Sequence, residues 1–400
     1  MTDPIAIDPE SPGLFTRPDY FELLARLRRD APVYEYEPNA WTIARYDAVR
    51  EISRDPERFC SGRGVLMNDP LRRGGEIHGS ILHMDPPEHA PWRQLVNRRF
   101  TPRAVTTFSD RIHAAARAVL DDLDDIEPGT TVDFVDRVAA PFPVLVIAEL
   151  LGIADADRDD FRRWSDAAIS STDTDAPALD DLAALYRFLV DHVRAKRGAT
   201  PDDDPAREDI AARLANAEID GRRLSTAEAV GYCLALLVAG NETTRHLVSG
   251  SVLALSEHPD QRDALASDPS GMERAVEECL RWVTPIQSFG RTVTLDTEID
   301  GTRVKRGDWL VMLYASANRD ERTFGERADR FDVTRPVESS HVAFGFGEHL
   351  CLGAALARLE ARVLLTEMLT RFPRLEVDGE PRWTESTLVR GMERLPVALR

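Results

Sequence analysis

The chain has 400 residues, of which 43% are hydrophobic and 30% are charged, a composition typical of a globular protein with a large core. Its formal net charge of −19 argues against nucleic acid and anionic membrane surfaces as partners. The four cysteines are scattered and form no Cys-x-x-Cys pair, so they favour a reducing cytoplasm over a disulfide framework.

The N-terminus is acidic and Pro-rich, and it predicts neither a signal peptide nor a membrane anchor. We expect residues 1–13 to be flexible. The longest apolar runs, near 144–148 and 234–239, are far too short to span a bilayer. Breaks rich in Asp and Pro at 171–177 and 198–208 are short, so we interpret them as loops within one domain that covers residues 1–400.

In chain order, the pattern predicts a mainly α protein with a minor β portion. Two β-rich runs, Val33–Tyr36 and Trp41–Ala44, predict a hairpin. A loop-like stretch at 61–80 is followed by a helix start at Asp85-Pro86-Pro87-Glu88-His89. The next helical patterns cover 103–125, 141–151, 157–170, 178–197 and 209–217.

The second half of the chain contains the longest predicted helix. A capping box begins at Ser225 and Pro259 marks the far end, and about thirty residues between them predict a rod of ~45 Å. Another helix follows Asp268-Pro269 and ends near Trp282. The stretch 289–314 alternates as strands do, and a last helix runs from Gly353 to about Phe372.

Residues 344–353 read Phe-Gly-Phe-Gly-Glu-His-Leu-Cys-Leu-Gly and place Cys351 just before that last helix. Backbone N–H groups and the helix dipole at this position favour thiolate over thiol. The absence of side chains at three glycines lets a flat group approach, and two phenylalanines can supply an apolar wall. A protected thiolate facing a flat ligand indicates a single-cysteine haem ligand. The glycines are Gly345, Gly347 and Gly353, and the phenylalanines are Phe344 and Phe346.

The other cysteines, Cys60, Cys233 and Cys279, are interpreted as small buried hydrophobic residues.

The middle of the long helix reads Ala239-Gly240-Asn241-Glu242-Thr243-Thr244. A Thr hydroxyl can bond a carbonyl one turn back and Gly weakens the local ladder, so a distortion is plausible here. One interpretation is a groove for a small ligand, with Thr243 as hydrogen-bond donor and Glu242 feeding protons. The alternative is a surface Glu beside a Thr that only bends the helix.

Two further sets of charged residues stand out. Glu278 and Arg281 are three residues apart on a helix, and Arg330 is a candidate partner for a buried version of this pair. A second set could together clamp two carboxylates, although each member alone is commonly a surface residue. This set comprises His89, Arg93, Arg291 and His349.

Taken in order, these motifs resemble the cytochrome P-450 family, and more narrowly its soluble bacterial members. The resemblance covers about Tyr20 to Arg400. The motifs are His89-x-x-x-Arg93, Ala239-Gly240-x-Glu242-Thr243-Thr244, Glu278-x-x-Arg281, Asp329-Arg330-Phe331 and Phe344-x-x-Gly347-x-x-x-Cys351-x-Gly353. The resemblance implies a single triangular-prism-like domain with haem b between the long central helix and the cysteine-bearing helix.

The resemblance also implies a role for each matching position. Cys351 would be the axial thiolate of the haem iron. Thr243 would hydrogen-bond dioxygen and Glu242 would relay protons to it. The haem propionates would be held by His89, Arg93, Arg291 and His349. Phe344, Gly345 and Gly353 would line the haem on the cysteine side, and Ala239 and Gly240 would face its distal surface. Glu278, Arg281 and Arg330 would form a structural ion network under the cysteine loop.

Partners follow from the same resemblance. The chain has no flavin domain and no Gly-x-Gly-x-x-Gly loop, so electrons would come from a separate ferredoxin with its NAD(P)H-dependent reductase. A basic patch could receive an acidic ferredoxin. Its candidates are Arg98, Arg99, Arg103, Arg358 and Arg362. We expect a cytoplasmic monomer that uses O₂ and has no membrane anchor.

Substrate contacts in the family come from loops and the long helix. Here these positions are Val65, Leu66, Leu82, Ile169, Leu236, Ile286, Phe289, Leu388 and Val389. They are apolar, and this favours a hydrophobic substrate such as a terpenoid, steroid, fatty acyl chain or polyketide. Gln287, Ser288 and Arg390 could fix a polar end.

The leading hypothesis is therefore a monooxygenase that hydroxylates or epoxidises such a molecule. A peroxide-driven relative commonly lacks the acid–alcohol pair, which is intact here. A haem gas-binding protein would need no proton relay. A hydrolase using Cys351 with His349 has poor geometry, since the two lie two residues apart on a loop.

Overall fold

The structure is a computed structural model that describes residues 5–77, 80–170, 179–198, 209–336 and 340–399, without the side chains of residues 166–170. The loops expected at 171–177 and 198–208 lie outside the described residues, apart from Gly198. Residues 5–13 contact the rest of the chain, since Ile7 is buried and Glu10 pairs with Arg72 at 2.9 Å. The expected flexibility of this segment stays a prediction.

The described part is mainly helical. The helices are α1 (Tyr20–Asp30), α2 (Tyr46–Arg54), α3 (His89–Asn97), α4 (Pro102–Thr106), α5 (Ser109–Asp124), α6 (Pro141–Leu151), α7 (Arg158–Ser170), α8 (Leu179–Ala195), α9 (Ile210–Asn216), α10 (Thr226–Glu257), α11 (Pro259–Ser267), α12 (Met272–Val283), α13 (Tyr314–Ala317), α14 (Glu321–Phe324) and α15 (Ala354–Arg371). None of these described helices combines the length and the apolar character that crossing a bilayer requires.

The strands are short. They are β1 (Val33–Glu37), β2 (Ala40–Ile43), β3 (Phe59–Cys60), β4 (Thr131–Asp133), β5 (Glu218–Ile219), β6 (Arg222–Arg223), β7 (Ser288–Val293), β8 (Thr297–Ile299), β9 (Thr302–Val304), β10 (Trp309–Leu313), β11 (Glu376–Val377), β12 (Arg382–Trp383), β13 (Met392–Arg394) and β14 (Pro396–Ala398). The largest sheet has the order β1-β2-β10-β7-β3, in which β10 runs parallel to β2 and antiparallel to β7.

The long helix α10 organises the helical part of the molecule. It begins with the predicted capping box, in which the Ser225 hydroxyl accepts from the Glu228 N–H at 3.1 Å and the Glu228 carboxylate accepts from the Ser225 N–H at 2.8 Å. Its 32 residues correspond to a rod of ~48 Å. The helix packs against α6, α8, α9, α12 and α15, and the main hydrophobic core surrounds it.

The sheet supports the other side of the molecule. Tight packing fixes its register, because a Cβ at Gly290 of β7 would lie 1.9 Å from the Trp309 ring of β10. Two smaller apolar clusters cover its faces, one with α2 and the other with α1 and the N-terminal segment.

The bounds of these elements confirm the predicted hairpin, long helix, strand region and last helix.

Candidate active site

The cysteine loop lies between the sheet side and α15. Gly345 and Gly347 both have positive φ, +69° and +73°, so the loop takes a path that other residues rarely adopt. A Cβ at Gly347 would lie 1.9 Å from the Ser53 carbonyl oxygen, so the loop packs directly against α2. The Cys351 N–H donates to the Phe344 carbonyl at 2.9 Å and closes the loop.

Cys351 is accessible to water, unlike the other three cysteines, which are all buried. Burial is nevertheless the strongest influence on its thiol and raises its pKa, while a backbone hydrogen bond from Gly353 and the charges of Arg93 and Arg358 lower it. A thiol that lies deep in the protein and is still accessible to water borders an internal cavity. As expected, the backbone donor at the helix start favours the thiolate, but desolvation outweighs it, so the net direction of the pKa shift is upward.

The two loop phenylalanines have different environments. Phe344 lies under the Arg358 guanidinium, 4.7 Å from the ring centroid, and beside His341. Phe346 instead lies between Arg50 and Arg54 of α2, at 4.3 and 4.5 Å. Phe346 therefore anchors the loop to α2 and does not form the apolar wall expected from both rings, whereas for Phe344 that role stays a prediction.

A stripe of small residues runs along one face of α10. Gly231, Ala235 and Ala239 follow one another at four-residue intervals and are exposed, although the helix is surrounded by other elements. Thr243 continues the stripe and is half-buried. This face therefore borders open space inside the molecule, with room for a broad ligand.

Gly240 does not belong to this stripe. A Cβ on it would lie 2.8 Å from Cδ1 of Ile147, so the side-chain position of Gly240 faces α6, where Ile147 fills the space. The expectation that both residues face the ligand stays a prediction for Ala239, which lies on the stripe, and is wrong for Gly240. The reason is helical geometry, because consecutive residues point ~100° apart around the axis.

Thr243 and Glu242 occupy the expected part of the helix, and Thr243 makes the hydrogen bond one turn back that its residue type allows. The Thr243 hydroxyl donates to the Ala239 carbonyl at 2.7 Å, so its oxygen has only lone pairs left for the cavity side. Glu242 is 8% exposed and lies 3.8 Å from the ring of His246, between Oε1 and Nε2. The acid is thus buried, which excludes the alternative of a surface Glu.

The four candidate propionate ligands converge. The rings of His89 and His349 lie with centroids 4.4 Å apart, and Arg93 donates to the Leu350 carbonyl at 2.6 Å. Burial together with the charges of Arg291, His89 and Arg93 lowers the pKa of His349 to about 3, which places these groups around it. His349 is therefore neutral at pH 7, and its Nε2 lies 3.2 Å from the Ser61 hydroxyl.

The burial and the partners of Arg291 indicate whether this cluster fits an anionic cofactor. It is 5% exposed, and its guanidinium donates to the Gly290 carbonyl at 2.7 Å. No described carboxylate lies within ion-pair distance of it. A buried cation without a counter-ion is unfavourable, and an anionic group on the ligand would complete it. The propionates of a haem fit this arrangement, with Cys351 and the small-residue stripe available for the macrocycle.

Glu348 and Asp85 lie beside this cluster and were not predicted. Asp85 accepts from the N–H groups of Ser61 and Gly62 at 2.7 and 2.9 Å. Burial and the Asp85 charge raise the pKa of Glu348. The propionate side of the cavity therefore carries acids as well as bases, which no spacing in the sequence revealed.

Arg281 is the centre of a buried ion network. Its guanidinium donates to both carboxylate oxygens of Glu278, at 2.8 and 2.7 Å. The remaining donors reach the carbonyls of Asn318, Ala328 and Arg330, at 2.8, 2.7 and 2.9 Å. All five N–H groups of the guanidinium are thus satisfied.

The third charged member of this network is Arg335. Its Nε lies 3.0 Å from Glu278, whereas the side chain of Arg330 is exposed and only its carbonyl takes part. The assignment of Arg330 was therefore wrong. A segment without regular structure connects the two arginines, and sequence spacing could not tell which side chain turns inward.

The apolar candidates for substrate contacts differ in accessibility. Val65 and Val389 are fully buried, and Val389 forms a β-bridge with Ile286. The half-buried candidates are Leu66, Leu82, Leu236, Ile286, Phe289 and Leu388. The side chain of Ile169 lies outside the described residues.

The three polar candidates also separate. Gln287 bonds Tyr20, and Arg390 stacks on Phe21 and Trp383, so both contact the N-terminal part instead. The Ser288 hydroxyl is buried without a partner among the described residues.

Glu360 is a buried acid that sequence reasoning missed. It accepts from the Thr244 hydroxyl at 3.1 Å and so connects α15 to α10 one residue beyond Thr243. Burial raises its pKa from 4.5 to about 8, against the opposing effect of Thr244. At neutral pH its carboxyl is therefore protonated.

Glu360→Gln should change how stability depends on pH. The raised pKa favours folding below about pH 4.5, and this contribution is lost as pH rises through about 8. The amide stays neutral, so the variant should gain free energy of unfolding relative to the parent across that window. Urea denaturation at pH 5.5, 7 and 8.5 measures this, with Glu367→Gln on the same helix as control. A difference that is constant with pH would contradict the assignment.

Comparison with known proteins identifies the family. Residues 272–394 match the family model "Cytochrome P450". Cytochrome P450 109 of Bacillus spizizenii is 36% identical over 95% of this chain and 91% of its own length. The steroid C26-monooxygenase of Mycolicibacterium smegmatis is 36% identical over 93% and 90%. The crystal structure of CYP108D1 from Novosphingobium aromaticivorans superposes with a TM-score of 0.84 at 33% identity, covering 99% of this chain and 97% of the other. The chain therefore belongs to the cytochrome P450 family of haem-thiolate monooxygenases.

Proposed function

We propose that this cytochrome P450 monooxygenase uses O₂ and two electrons from a separate ferredoxin and its NAD(P)H-dependent reductase to hydroxylate or epoxidise a hydrophobic small molecule. The observation that carries the proposal is that Cys351 is accessible and that His89, Arg93 and His349 lie together beside Arg291, a buried cation with no described carboxylate within ion-pair distance. A thiol and a set of carboxylate-binding groups are what a haem with two propionates requires.

The family binds haem b through a cysteine thiolate, which in this chain is Cys351. When bound, the haem supplies the iron centre at which oxygen is activated, and thiolate donation favours O–O cleavage. We assign the propionates to His89, Arg93, Arg291 and His349. Phe344, Gly345 and Gly353 border the cysteine side, and Ala239 borders the opposite side.

The acid and the alcohol of α10 control protons at the oxygen site. Thr243 already donates to Ala239, so its oxygen is set to accept a hydrogen bond from water or from a protonated oxygen in the cavity. Glu242 is the adjacent buried acid that can supply the proton. A side chain that is positioned to transfer a proton to the reacting group typically raises the rate ~10²–10⁴-fold.

The substrate is proposed to be apolar. Support comes from the half-buried apolar residues of α10 and the loops, and from a relative that is named as a steroid C26-monooxygenase. Ser288 is a buried hydroxyl without a described partner, so it is the residue best suited to bond a polar group of the substrate. A steroid, a terpenoid, a fatty acyl chain and a polyketide all fit this chemistry.

An arginine surface beside α15 is proposed to receive the ferredoxin. Arg98, Arg103 and Arg362 are exposed, and the segments that carry the first two pack against α15. Arg358 is 42% exposed and pairs with Glu277 at 2.6 Å. Arg99 does not belong to this surface, since it is 1% exposed and lies over Phe108 at 4.4 Å.

We further propose a monomer in the cytoplasm, where an electron donor that is itself a separate protein could reach it.

Thr243→Ala should lower the fraction of NAD(P)H recovered as product and raise hydrogen peroxide release. Haem content and substrate binding should be unchanged, because the hydroxyl contributes to neither. The rate of product formation should fall about ten-fold or more. This is smaller than the ~10²-fold and larger effects of losing a positioned proton donor, because Thr243 accepts a hydrogen bond and Glu242 remains. Thr294→Ala, on the sheet side, is the control. Unchanged coupling in Thr243→Ala would remove Thr243 from the proposal.

Charge reversal of the arginine surface should weaken electron delivery. Arg103→Glu combined with Arg362→Glu should raise the KM for an acidic ferredoxin about ten-fold at low salt, and added salt should shrink the difference. Reduction by dithionite should be unaffected. Arg303→Glu combined with Arg306→Glu, two exposed positions at the β8–β9 hairpin, is the control with the same change of charge. Equal KM values for the patch variant and the control would rule out this docking surface.

A further inference from the structure

His246 is a buried histidine of α10 whose ring lacks hydrogen-bond partners. It follows Glu242 by one helical turn and is 1% exposed. Neither ring nitrogen has a hydrogen-bond partner among the described residues. Since buried polar groups are usually satisfied, two unpartnered nitrogens on one side chain require an explanation.

Glu242 is the polar group nearest to this ring. The distance from His246 Nε2 to Glu242 Oε1 is 3.8 Å, and a small side-chain rotation would shorten it to a hydrogen bond. Burial lowers the pKa of His246, opposed by Glu242 and reinforced by the charge of Arg245. The ring is therefore neutral at pH 7, with one N–H to donate to a carboxyl oxygen of Glu242.

The other side of the ring is held by backbone. A Cβ on Gly391 would lie 1.9 Å from Nδ1 and 2.1 Å from Cγ of His246, so only glycine leaves room for the imidazole. Gly391 itself is fixed, because its carbonyl accepts from the Thr384 N–H at 2.9 Å. It comes two residues after Val389, which pairs with Ile286. The ring is thus confined between Glu242 and the turn 388–391.

We propose that His246 is a positioning residue for Glu242: confined against Gly391, it donates from Nε2 to the carboxyl and sets the direction in which Glu242 presents its proton to the cavity. This inference rests on the proposed role of Glu242 in proton supply. It adds a physical link between that acid and the turn 388–391, which carries the candidate substrate contact Leu388.

The first test is a double-mutant cycle on the haem-loaded protein. The cycle combines Glu242→Leu, which removes the acceptor oxygens, with His246→Phe, which replaces the imidazole by a ring without nitrogens. If the two groups interact, the change in the unfolding equilibrium constant of the double variant should differ from the product of the single changes by about five-fold or more. Additive effects within about two-fold would overturn the inference, whatever the activity.

The second test separates positioning from a merely structural role. His246→Phe should lower coupling and kcat about ten-fold, increase the solvent isotope effect on kcat and leave substrate affinity within about two-fold. His246→Asn keeps an N–H donor and should restore most of the coupling. Gly391→Ala should reproduce the His246→Phe behaviour by displacing the ring. His258→Phe, near the far end of α10, is the control with parental coupling.

Two results separate the role of His246 from that of Glu242. If Glu242→Gln lowers coupling but His246→Phe does not, only the positioning role is overturned. If Glu242→Gln leaves coupling unchanged, the proposed proton supply is wrong, and the inference about His246 falls with it.

Discussion

The buried guanidinium of Arg281 is the interaction on which the rest of the site depends. Its five donors reach Glu278 and three backbone carbonyls, one at Asn318 and two in the segment 328–330. A buried charge of this kind is tolerable only when every donor is satisfied, and removal of one partner of a buried pair commonly costs about 3–5 kcal/mol. The irregular segment after α14 therefore has one strongly preferred path past α12.

That path also fixes the cysteine loop. Asn318 accepts from Arg281 with its carbonyl, and its side-chain oxygen accepts from the Val342 N–H at 2.7 Å, directly before the loop. Gly347 then packs on α2, and the Cys351 N–H closes the loop. On the other side of the cavity, the bond between Thr244 and Glu360 sets the distance between α10 and α15. The cavity is thus held between two rigid supports, so the acid–alcohol pair and the sulfur keep a fixed relation.

The sequence was most informative where function depends on neighbours along the chain. Three short-range patterns show this. They are Cys351 among its glycines, the pair Glu278 and Arg281, and the helix face that His89 and Arg93 share. The structure brings the members of each pattern together. The capping box and the bounds of α10 followed from local hydrogen-bonding rules in the same way.

Contacts between distant segments could not be read from the sequence. Arg335 rather than Arg330 turns towards Glu278, and Asn318, Glu348 and Glu360 become parts of the site only through packing. The direction of Gly240 towards Ile147 depends on the rotation of α10, which a motif does not specify. Desolvation of Cys351 likewise depends on the whole fold, so the net pKa direction of its thiol was not predictable from its position before a helix.

The ligation that this fold implies is a bond from the Cys351 sulfur, which borders the cofactor cavity, to the haem iron. Its most direct test is the absorption spectrum of the haem-loaded, reduced protein under carbon monoxide. The account predicts the far red-shifted Soret band of thiolate ligation in the parent and in Cys279→Ala, and its loss in Cys351→Ala. The absence of this band in the parent, or its persistence in Cys351→Ala, would contradict the account.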